Sequence, residues 1–371
     1  MKYYVIAGES SGDLHGARLI EELRKRQGAD AQFRIVGGDR MEQACGERAM
    51  LHVRDMSFMG FIEVLLNIKS IAKNLRTVKE DLLAYRPDVL ILIDFPGFNL
   101  KIASFAKHHD IKVFYYISPK VWAWNTGRVK TIKRIVDHLF CILPFEVDFY
   151  KQWDMKVDYV GNPLLDAVAL HHSDSTFKIR HGLEGKKLIA LLPGSRKMEI
   201  SKLLPEMVKL VNLFPGHQMV IAGAPNFDKG YYDAYIGGHD LPVIFDETYN
   251  LLQHSEAAVV ASGTATLETA LLDIPQVVVY KANPISIAIG RRVIKVKYIS
   301  LVNLIMDEEV VKELIQEDAN YRYIANELNL LLNDGTHRLK MLAAYKRLRD
   351  VMGKPGASKK VAELIERYLA K

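Results

Sequence analysis

Short apolar runs without polar alternation recur along the whole chain, and they constrain its fold more than any other feature. They lie at Tyr3–Ala7, Phe33–Val36, Val89–Ile93, Val113–Ile117, Leu139–Leu143, Leu188–Leu192, Met219–Ala222, Val243–Phe245, Ala257–Val260 and Gln276–Tyr280. Runs of this length and composition predict strands that are buried on both faces. Helical patterns such as Gly16–Arg26 and Ile68–Tyr85 separate them. The alternation predicts βαβ units, and therefore two doubly wound parallel sheets in tandem.

The length of 371 residues fits two domains and a small appendage. A polar stretch, residues 171–176, interrupts the pattern near the middle. We expect a first domain over residues 1–168, a second over 169–345, and a C-terminal helix over 346–371 that packs back on the first domain. Because ligands bind at the carboxyl ends of parallel strands, two such domains facing each other predict a binding cleft.

The composition excludes several classes of protein. A formal net charge of +6 and a pI near 9.0 permit an anionic substrate or membrane surface, but they are too mild to predict a nucleic-acid binder. Cys45 and Cys141 lie too far apart to form a disulfide framework, which favours the cytoplasm. The start of the chain turns polar too early for a signal peptide. No apolar run approaches the roughly 20 residues that cross a bilayer.

Two turns in the first half contain candidate site residues. The first strand runs into the glycine-containing turn Gly8–Asp13, which precedes a helix and lacks the G-x-G-x-x-G fingerprint. Asp94 follows the third strand, where a carboxylate can serve as a general base. The alternatives are that Asp13 and Asp94 only cap helices.

Two further turns in the second half suit a diphosphate. Leu188–Leu192 opens into a turn with Ser195 and Arg196, whose guanidinium can bind phosphate oxygens bidentately. Ala257–Val260 opens into small hydroxyl residues around Gly263, with Glu268 one helical turn further on. Neither turn is a Walker P-loop. A D-x-D motif and the spacing of zinc ligands are both missing, which favours metal-independent chemistry and no cofactor.

One segment has the composition of a membrane-associated surface. Its apolar and basic residues are Phe58, Met59, Phe61, Ile62, Leu65, Leu66, Lys69, Lys73 and Arg76. Such a segment can lie in an anionic lipid interface or contact acyl chains. The alternative is an ordinary helix that faces the core.

These motifs together resemble the lipid-A-disaccharide synthases. The similarity is carried, in order, by AGESSGD from Ala7, GGDRM from Gly37, MGFIEVL from Met59, IDFPGFN from Ile93, YISPKVWAW from Tyr116, LPFE from Leu143, VGNPL from Val160, LLPGSR from Leu191, SGTATLE from Ser262 and YISLVNLI from Tyr298. It implies a GT-B architecture with two Rossmann-like domains. It also implies a hexosyltransferase of Gram-negative bacteria that associates peripherally with the cytoplasmic side of the inner membrane. A homodimer is compatible with the resemblance.

The resemblance implies an inverting, metal-independent reaction. Its donor is UDP-2,3-diacylglucosamine and its acceptor is the 6-hydroxyl of 2,3-diacylglucosamine 1-phosphate. The implied catalytic residues are Asp94 and Arg196. The implied UDP contacts are Ser195, Arg196, Ser262, Gly263, Thr264, Ala265, Thr266, Glu268 and Asn303. We place the sugar or the acceptor at Gly8, Glu9, Ser10, Ser11, Asp13 and Asn99.

The chain also departs from the family pattern. Gly97 stands where aspartate is common, which leaves Asp94 as the carboxylate of that motif. Lys120 replaces a small polar residue, Asn162 a frequent histidine and Val302 a common proline. Two alternatives stay open at this point. A hydrolysing UDP-sugar 2-epimerase would need no acceptor, and a non-catalytic UDP-sugar-binding membrane protein would not consume the donor.

Overall fold

The computed structural model describes residues 1–56, 68–283 and 296–370. The chain divides into two compact units. Unit 1 comprises Met1–Asp166 and Pro355–Lys371, and unit 2 comprises Ala167–Lys354. The first unit is therefore built from two stretches of the chain that are far apart in sequence.

Unit 1 contains a seven-stranded parallel sheet with the strand order β3-β2-β1-β4-β5-β6-β7. The strands are β1 (Lys2–Ala7), β2 (Gln32–Gly37), β3 (Leu51–His52), β4 (Val89–Ile93), β5 (Lys112–Tyr116), β6 (His138–Cys141) and β7 (Asp158–Tyr159). The helices are α1 (Ser10–Gln27), α2 (Asp39–Cys45), α3 (Ile68–Tyr85), α4 (Pro96–His108), α5 (Val121–Trp124), α6 (Arg128–Ile135) and α7 (Glu146–Lys151), with short 3₁₀ turns at Gly28–Asp30 and Val53–Asp55. The next helix, α8 (Pro163–Leu170), begins in unit 1 and ends in unit 2.

Unit 2 contains a six-stranded parallel sheet with the order β10-β9-β8-β11-β12-β13. Its strands are β8 (Lys187–Leu192), β9 (His217–Gly223), β10 (Val243–Phe245), β11 (Ser255–Ala261), β12 (Gln276–Tyr280) and β13 (Lys312–Ile315). Its helices are α9 (Phe177–Arg180), α10 (Lys197–Val208), α11 (Lys229–Ile236), α12 (Thr248–Gln253), α13 (Thr264–Leu271), α14 (Leu301–Met306), α15 (Tyr321–Asn333) and α16 (Gly335–Met352), with a 3₁₀ turn at Val211–Leu213.

Both faces of the unit 1 sheet are covered, which explains why its strands lack polar alternation. Along β1, Tyr3 and Val5 belong to one buried cluster, whereas Tyr4 and Ile6 belong to another on the opposite face. Large apolar side chains at every position of a strand are stable only between two layers of helices. The doubly wound parallel sheets predicted from the sequence are present in both units.

The last helix, α17 (Ala357–Leu369), belongs to unit 1. Val361 and Ile365 pack in the same buried cluster as Leu19 and Leu23 of α1. The expected boundary at residue 346 is wrong, because α16 continues without a break through Met352. Gly353, with φ of 79°, ends that helix in a backbone conformation that favours glycine.

Candidate active site

Three of the motif-bearing turns of unit 1 lie side by side. Ala7 at the end of β1 pairs with Ile93 of β4, and Ile93 pairs with Tyr116 of β5. The turns that follow these three strands therefore begin at the same edge of the sheet. The strand order reverses direction between β1 and β4, and ligands of doubly wound sheets bind at such a point.

The turn that holds Asp94 is strained and firmly held. Asp94 and Phe95 have φ angles of 44° and 48°, in the left-handed region that residues with side chains seldom adopt. The buried Asn99 amide donates hydrogen bonds to the carbonyl oxygens of Ile93, at 3.2 Å, and of Asp94, at 2.8 Å. The Tyr115 hydroxyl also donates to the Asp94 carbonyl, at 2.5 Å. Backbone strain held by surrounding bonds is typical of functional sites.

The surroundings of the Asp94 carboxyl group favour its use as a base. Burial raises the pKa of this group, while the positive charge of Lys120 and a hydrogen bond from the Phe95 backbone N–H lower it. A carboxyl group with a raised pKa is a stronger base than an ordinary aspartate once it is ionised. Lys120 follows β5, which pairs with β4 and ends beside the turn that holds Asp94.

Gly8 is required by the close approach of the turn that holds Asp94. A Cβ atom built on Gly8 would lie 2.1 Å from the Phe95 ring, so that only glycine fits. Glu9, Ser10 and Ser11 follow it and are exposed at the start of α1. This contact brings the predicted sugar or acceptor loop directly against the turn that carries the candidate base.

Asp13 holds the backbone of a neighbouring loop. Its buried carboxylate accepts hydrogen bonds from the N–H groups of Gly38 at 2.6 Å, Arg40 at 3.1 Å and Met41 at 3.1 Å. It thereby caps the start of α2 rather than that of its own helix. With its oxygens engaged in this way, Asp13 shapes the loop, as the Asn99 amide nitrogen shapes the turn at Asp94. Their assignment to the sugar or acceptor site stays a prediction.

A buried carboxyl group at Glu146 was missed in the sequence analysis. Its oxygens accept hydrogen bonds from Trp122 Nε1 at 3.2 Å and from the N–H groups of Ile142, at 3.2 Å, and Leu143, at 3.0 Å. Glu146 is 1% exposed, and burial raises its pKa to about 7. The side chain links α5 to the turn after β6. Nothing in the sequence distinguishes it from a glutamate in the exposed first turn of a helix.

The two phosphate-type turns of unit 2 also lie beside each other, because Leu192 of β8 pairs with Val260 of β11. In the first turn, Glu199 accepts hydrogen bonds from the N–H groups of Ser195 at 3.1 Å and Arg196 at 3.3 Å. This box caps the start of α10 and fixes the turn. The Arg196 side chain stays 68% exposed and can reach a ligand.

The second turn presents the start of α13. Gly263 occupies the N-cap position and supplies no side-chain cap, so that the first N–H groups of the helix are open to an anion. The hydroxyl groups of Ser262 and Thr266 donate to the carbonyl oxygens of Ile299, at 2.9 Å, and Gly263, at 2.8 Å. Thr264 is exposed and Ala265 is half-buried. The Ser262 and Thr266 hydroxyls are thus already engaged, and the backbone N–H groups are the better candidates for phosphate contacts.

Glu268 and Asn303 differ in how they fit the prediction of UDP contacts. Tyr249 donates a hydrogen bond to Glu268 at 2.7 Å, and burial raises the pKa of Glu268. Asn303 is fully buried, and its amide bonds to Val310, Val311 and Glu313. The expectation that Asn303 contacts UDP is not supported, because four internal hydrogen bonds occupy both ends of its amide.

The predicted membrane surface is only partly within the described residues. Phe58, Met59, Phe61, Ile62, Leu65 and Leu66 lie outside them. Lys69, Lys73 and Arg76 are exposed along α3, and Ile68 at its start is 60% exposed. Over the ranges that the structure covers, no helix combines the length and apolarity needed to span a membrane.

Over the same ranges, no three His, Cys, Asp or Glu side chains form a metal-binding group.

The comparisons with known proteins decide the family. A family model described as lipid-A-disaccharide synthetase matches residues 3–366. The lipid-A-disaccharide synthase of Geobacter sulfurreducens is 38% identical, over 99% of this chain and 97% of that protein. That of Syntrophus aciditrophicus is 40% identical, over 96% of this chain and 95% of that protein. The chain belongs to the lipid-A-disaccharide synthase family. The prediction of a glycosyltransferase of lipid A biosynthesis is thereby confirmed.

Solved structures agree on the fold of this family member. A UDP-GlcNAc 2-epimerase from Neisseria meningitidis bound to UDP-GlcNAc has a TM-score of 0.69 at 14% identity, covering 99% of this chain and 100% of that chain. A glycotransferase of kitacinnamycin has a TM-score of 0.66 at 13% identity, covering 99% of each chain. Likeness at such low identity shows the fold alone, and it confirms the predicted fold class of two Rossmann-like domains of the GT-B type.

Proposed function

We propose that this chain transfers 2,3-diacylglucosamine from its UDP conjugate to the 6-hydroxyl of 2,3-diacylglucosamine 1-phosphate. The products are UDP and the β-1,6-linked disaccharide 1-phosphate. The observation that carries the proposal is the family match over residues 3–366. It favours a transferase over the 2-epimerase and the non-catalytic sugar-binding protein, which share the nucleotide-binding features but have no need of an acceptor.

In this proposal unit 2 binds UDP. Arg196 and the first N–H groups of α13, around Gly263, Thr264 and Ala265, contact the diphosphate. As the glycosidic bond breaks, negative charge grows on the β-phosphate oxygen, and a fixed cation together with oriented N–H groups stabilises it. The exposed guanidinium and the uncapped helix start support this assignment. No step requires a metal ion.

Asp94 removes the proton from the acceptor hydroxyl. The sugar carries oxocarbenium character as its bond to UDP breaks, and an ionised hydroxyl on the opposite face of the ring completes the inversion. General-base catalysis contributes about 10²–10⁴-fold to such a step. The loop formed by Gly8, Glu9, Ser10 and Ser11 shapes the sugar or acceptor site beside Asp94. Its contact with Phe95 supports this assignment.

The decisive experiment measures UDP release from UDP-2,3-diacylglucosamine in detergent micelles with a metal chelator, with and without the acceptor. We expect release that depends on the acceptor and a new tetraacyl disaccharide. Release without the acceptor would indicate hydrolysis or epimerisation instead. Donor binding without any release would indicate a non-catalytic protein.

The Asp94→Asn variant tests the base. We expect kcat to fall by about 10²–10⁴-fold while UDP binding and circular dichroism are retained. Asp110→Asn is the matched control, because Asp110 also has a left-handed backbone, with φ of 57°, but lies in an exposed loop. Normal turnover by Asp94→Asn would refute the assignment.

We further propose that the enzyme docks on the cytoplasmic leaflet of the inner membrane through the segment that ends at Lys69, Lys73 and Arg76. Each basic residue near an anionic surface contributes about 1 kcal/mol. Changing all three to Glu should release the protein from vesicles that contain phosphatidylglycerol. The matched control changes the exposed Lys229, Lys340 and Lys346 of unit 2 to Glu. Equal partitioning of the two triple variants would contradict the proposal.

A further inference from the structure

A cavity of about 190 Å³ lies beside the turn that carries Asp94. Its apolar lining residues come from the end of the 3₁₀ turn, from α3 and from the start of α4, and they are Met56, Ile71, Phe95 and Phe98. Gly97, Asn74 and Lys101 are the other described residues that line it. A designed apolar cavity of about 150 Å³ in another protein holds a benzene molecule, so a cavity of this size can hold several carbon atoms.

Gly97 lines this cavity and is exposed to solvent. A Cβ atom built on Gly97 meets no atom within 4 Å, so that open space lies where its side chain would be. Gly97 follows Pro96 in the first turn of α4 and does not have a left-handed backbone, so that glycine is not needed for the conformation. The absence of a side chain therefore leaves space beside this part of the cavity lining without serving the local fold.

The cavity has the polarity of a site for a fatty acyl chain with an anionic head group. Most of the described lining residues are apolar. The Asn74 side chain donates to the Asp55 carbonyl at 3.1 Å, and among the described lining residues Lys101 supplies the positive charge. Lys101 lies one helical turn after Gly97, on the same side of α4. A phosphate near Lys101 and an acyl chain against Phe95 and Phe98 would satisfy both parts of the lining.

We propose that this cavity binds the first part of one acyl chain of the acceptor, and that Gly97 determines how much of the chain it admits. The inference rests on the proposed function, because Asp94, one residue before Phe95, is the base for the acceptor hydroxyl. A chain seated here keeps the acceptor beside that carboxylate. The cavity thus contributes to acceptor selection.

Gly97→Leu tests the inference, since leucine fills the space that glycine leaves open. The measured quantity is the ratio of kcat/KM for an acceptor with 14-carbon chains to that for an acceptor with 4-carbon chains. We expect the ratio to fall by about tenfold, which corresponds to losing the burial of roughly two methylene groups. Gly97→Ala should give a smaller decrease. Gly216→Leu is the matched control, because a Cβ atom there also meets nothing within 4 Å but lies in unit 2.

A binding measurement separates this inference from the proposed function. Dodecyl phosphate, below its micellar concentration, should bind the intact protein more tightly than butyl phosphate does. Gly97→Leu should weaken dodecyl phosphate binding by about tenfold, whereas Gly216→Leu should not. A wild-type protein that forms no disaccharide would overturn the proposed function alone. An active wild-type enzyme whose chain-length ratio and dodecyl phosphate affinity are unchanged by Gly97→Leu would overturn the cavity assignment alone.

Discussion

At the scale of single residues, the ionisation of Asp94 is set by two opposing effects. Burial raises its pKa and the Lys120 charge lowers it. The base works only when ionised, so activity is lost as the pH falls through this pKa. Lys120→Met removes the lowering effect, and we expect the acidic limb of the kcat/KM profile to move to higher pH. Lys112→Met, an equal charge change at the exposed start of β5, should leave the limb in place. Superimposable profiles of the two variants would contradict the prediction.

Glu146 makes a second prediction at this scale. Its pKa of about 7 in the folded protein exceeds the ordinary value of 4.5, so the folded state binds the proton more tightly than the unfolded state. Stability therefore declines as the pH rises from about 4.5 to about 7, by roughly 3 kcal/mol at about 1.4 kcal/mol per pKa unit. The measurement is the free energy of unfolding in urea at pH 5 and pH 8. Glu146→Gln should lack this component of the decline, whereas the exposed Glu184→Gln should behave like the wild type.

The contacts of the buried carboxylates Asp13 and Glu146 could not be predicted from the sequence. The sequence places a carboxylate near the end of a strand, and this much was predicted for Asp94. Whether such a group faces a ligand or bonds to backbone N–H groups depends on loops that are distant in sequence. Asp13 contacts residues 25 to 28 positions away. Pattern and spacing contain no information about those contacts.

At the scale of elements, the start of α17 is stabilised by Asp166, the last residue of the first stretch of unit 1. Gly356, its N-cap residue, has no side chain, and Asp166 accepts hydrogen bonds from the N–H groups of Gly356 at 2.5 Å and Ala357 at 3.1 Å. Asp166→Ala should lower the free energy of unfolding by about 1–2 kcal/mol, as for the loss of a helix cap. Asp233→Ala, an exposed mid-helix change in α11, should alter it by less than about 0.5 kcal/mol. Equal melting curves for the two variants would show that Asp166 does not stabilise the start of α17.

The strands that sequence analysis found and those it missed differ in burial. All ten apolar runs correspond to strands. Nine of them are largely buried, whereas β10, at an edge of its sheet, has Ile244 buried and Val243 and Phe245 half-buried. The missed strands are β3, β7 and β13. The first two contain two residues each, and β13 has the sequence KELI at the edge of its sheet. An edge strand is less covered by helices, so that charged residues are tolerated and the apolar pattern disappears.

At the scale of the whole molecule, the proposed UDP contacts all belong to unit 2. A fragment of residues 167–354 should therefore fold cooperatively and bind UDP. Titration calorimetry measures the affinity, and Arg196→Ala in the same fragment should weaken it by about 10- to 100-fold, as for a lost hydrogen bond between charged groups. A folded fragment without affinity for UDP would refute the placement of the nucleotide. An unfolded fragment would show that unit 2 depends on unit 1.

The division of unit 1 between two stretches of the chain has a consequence during synthesis. The ribosome makes α1 early, but the helix that covers its apolar side emerges only after the whole of unit 2. At roughly 5–20 residues per second, the 188 residues of Ala167–Lys354 delay that step by roughly 10–40 s. Throughout this interval the nascent chain lacks the helix that shares a buried cluster with Leu19 and Leu23. The half of the protein that is translated first is thus the last to be completed.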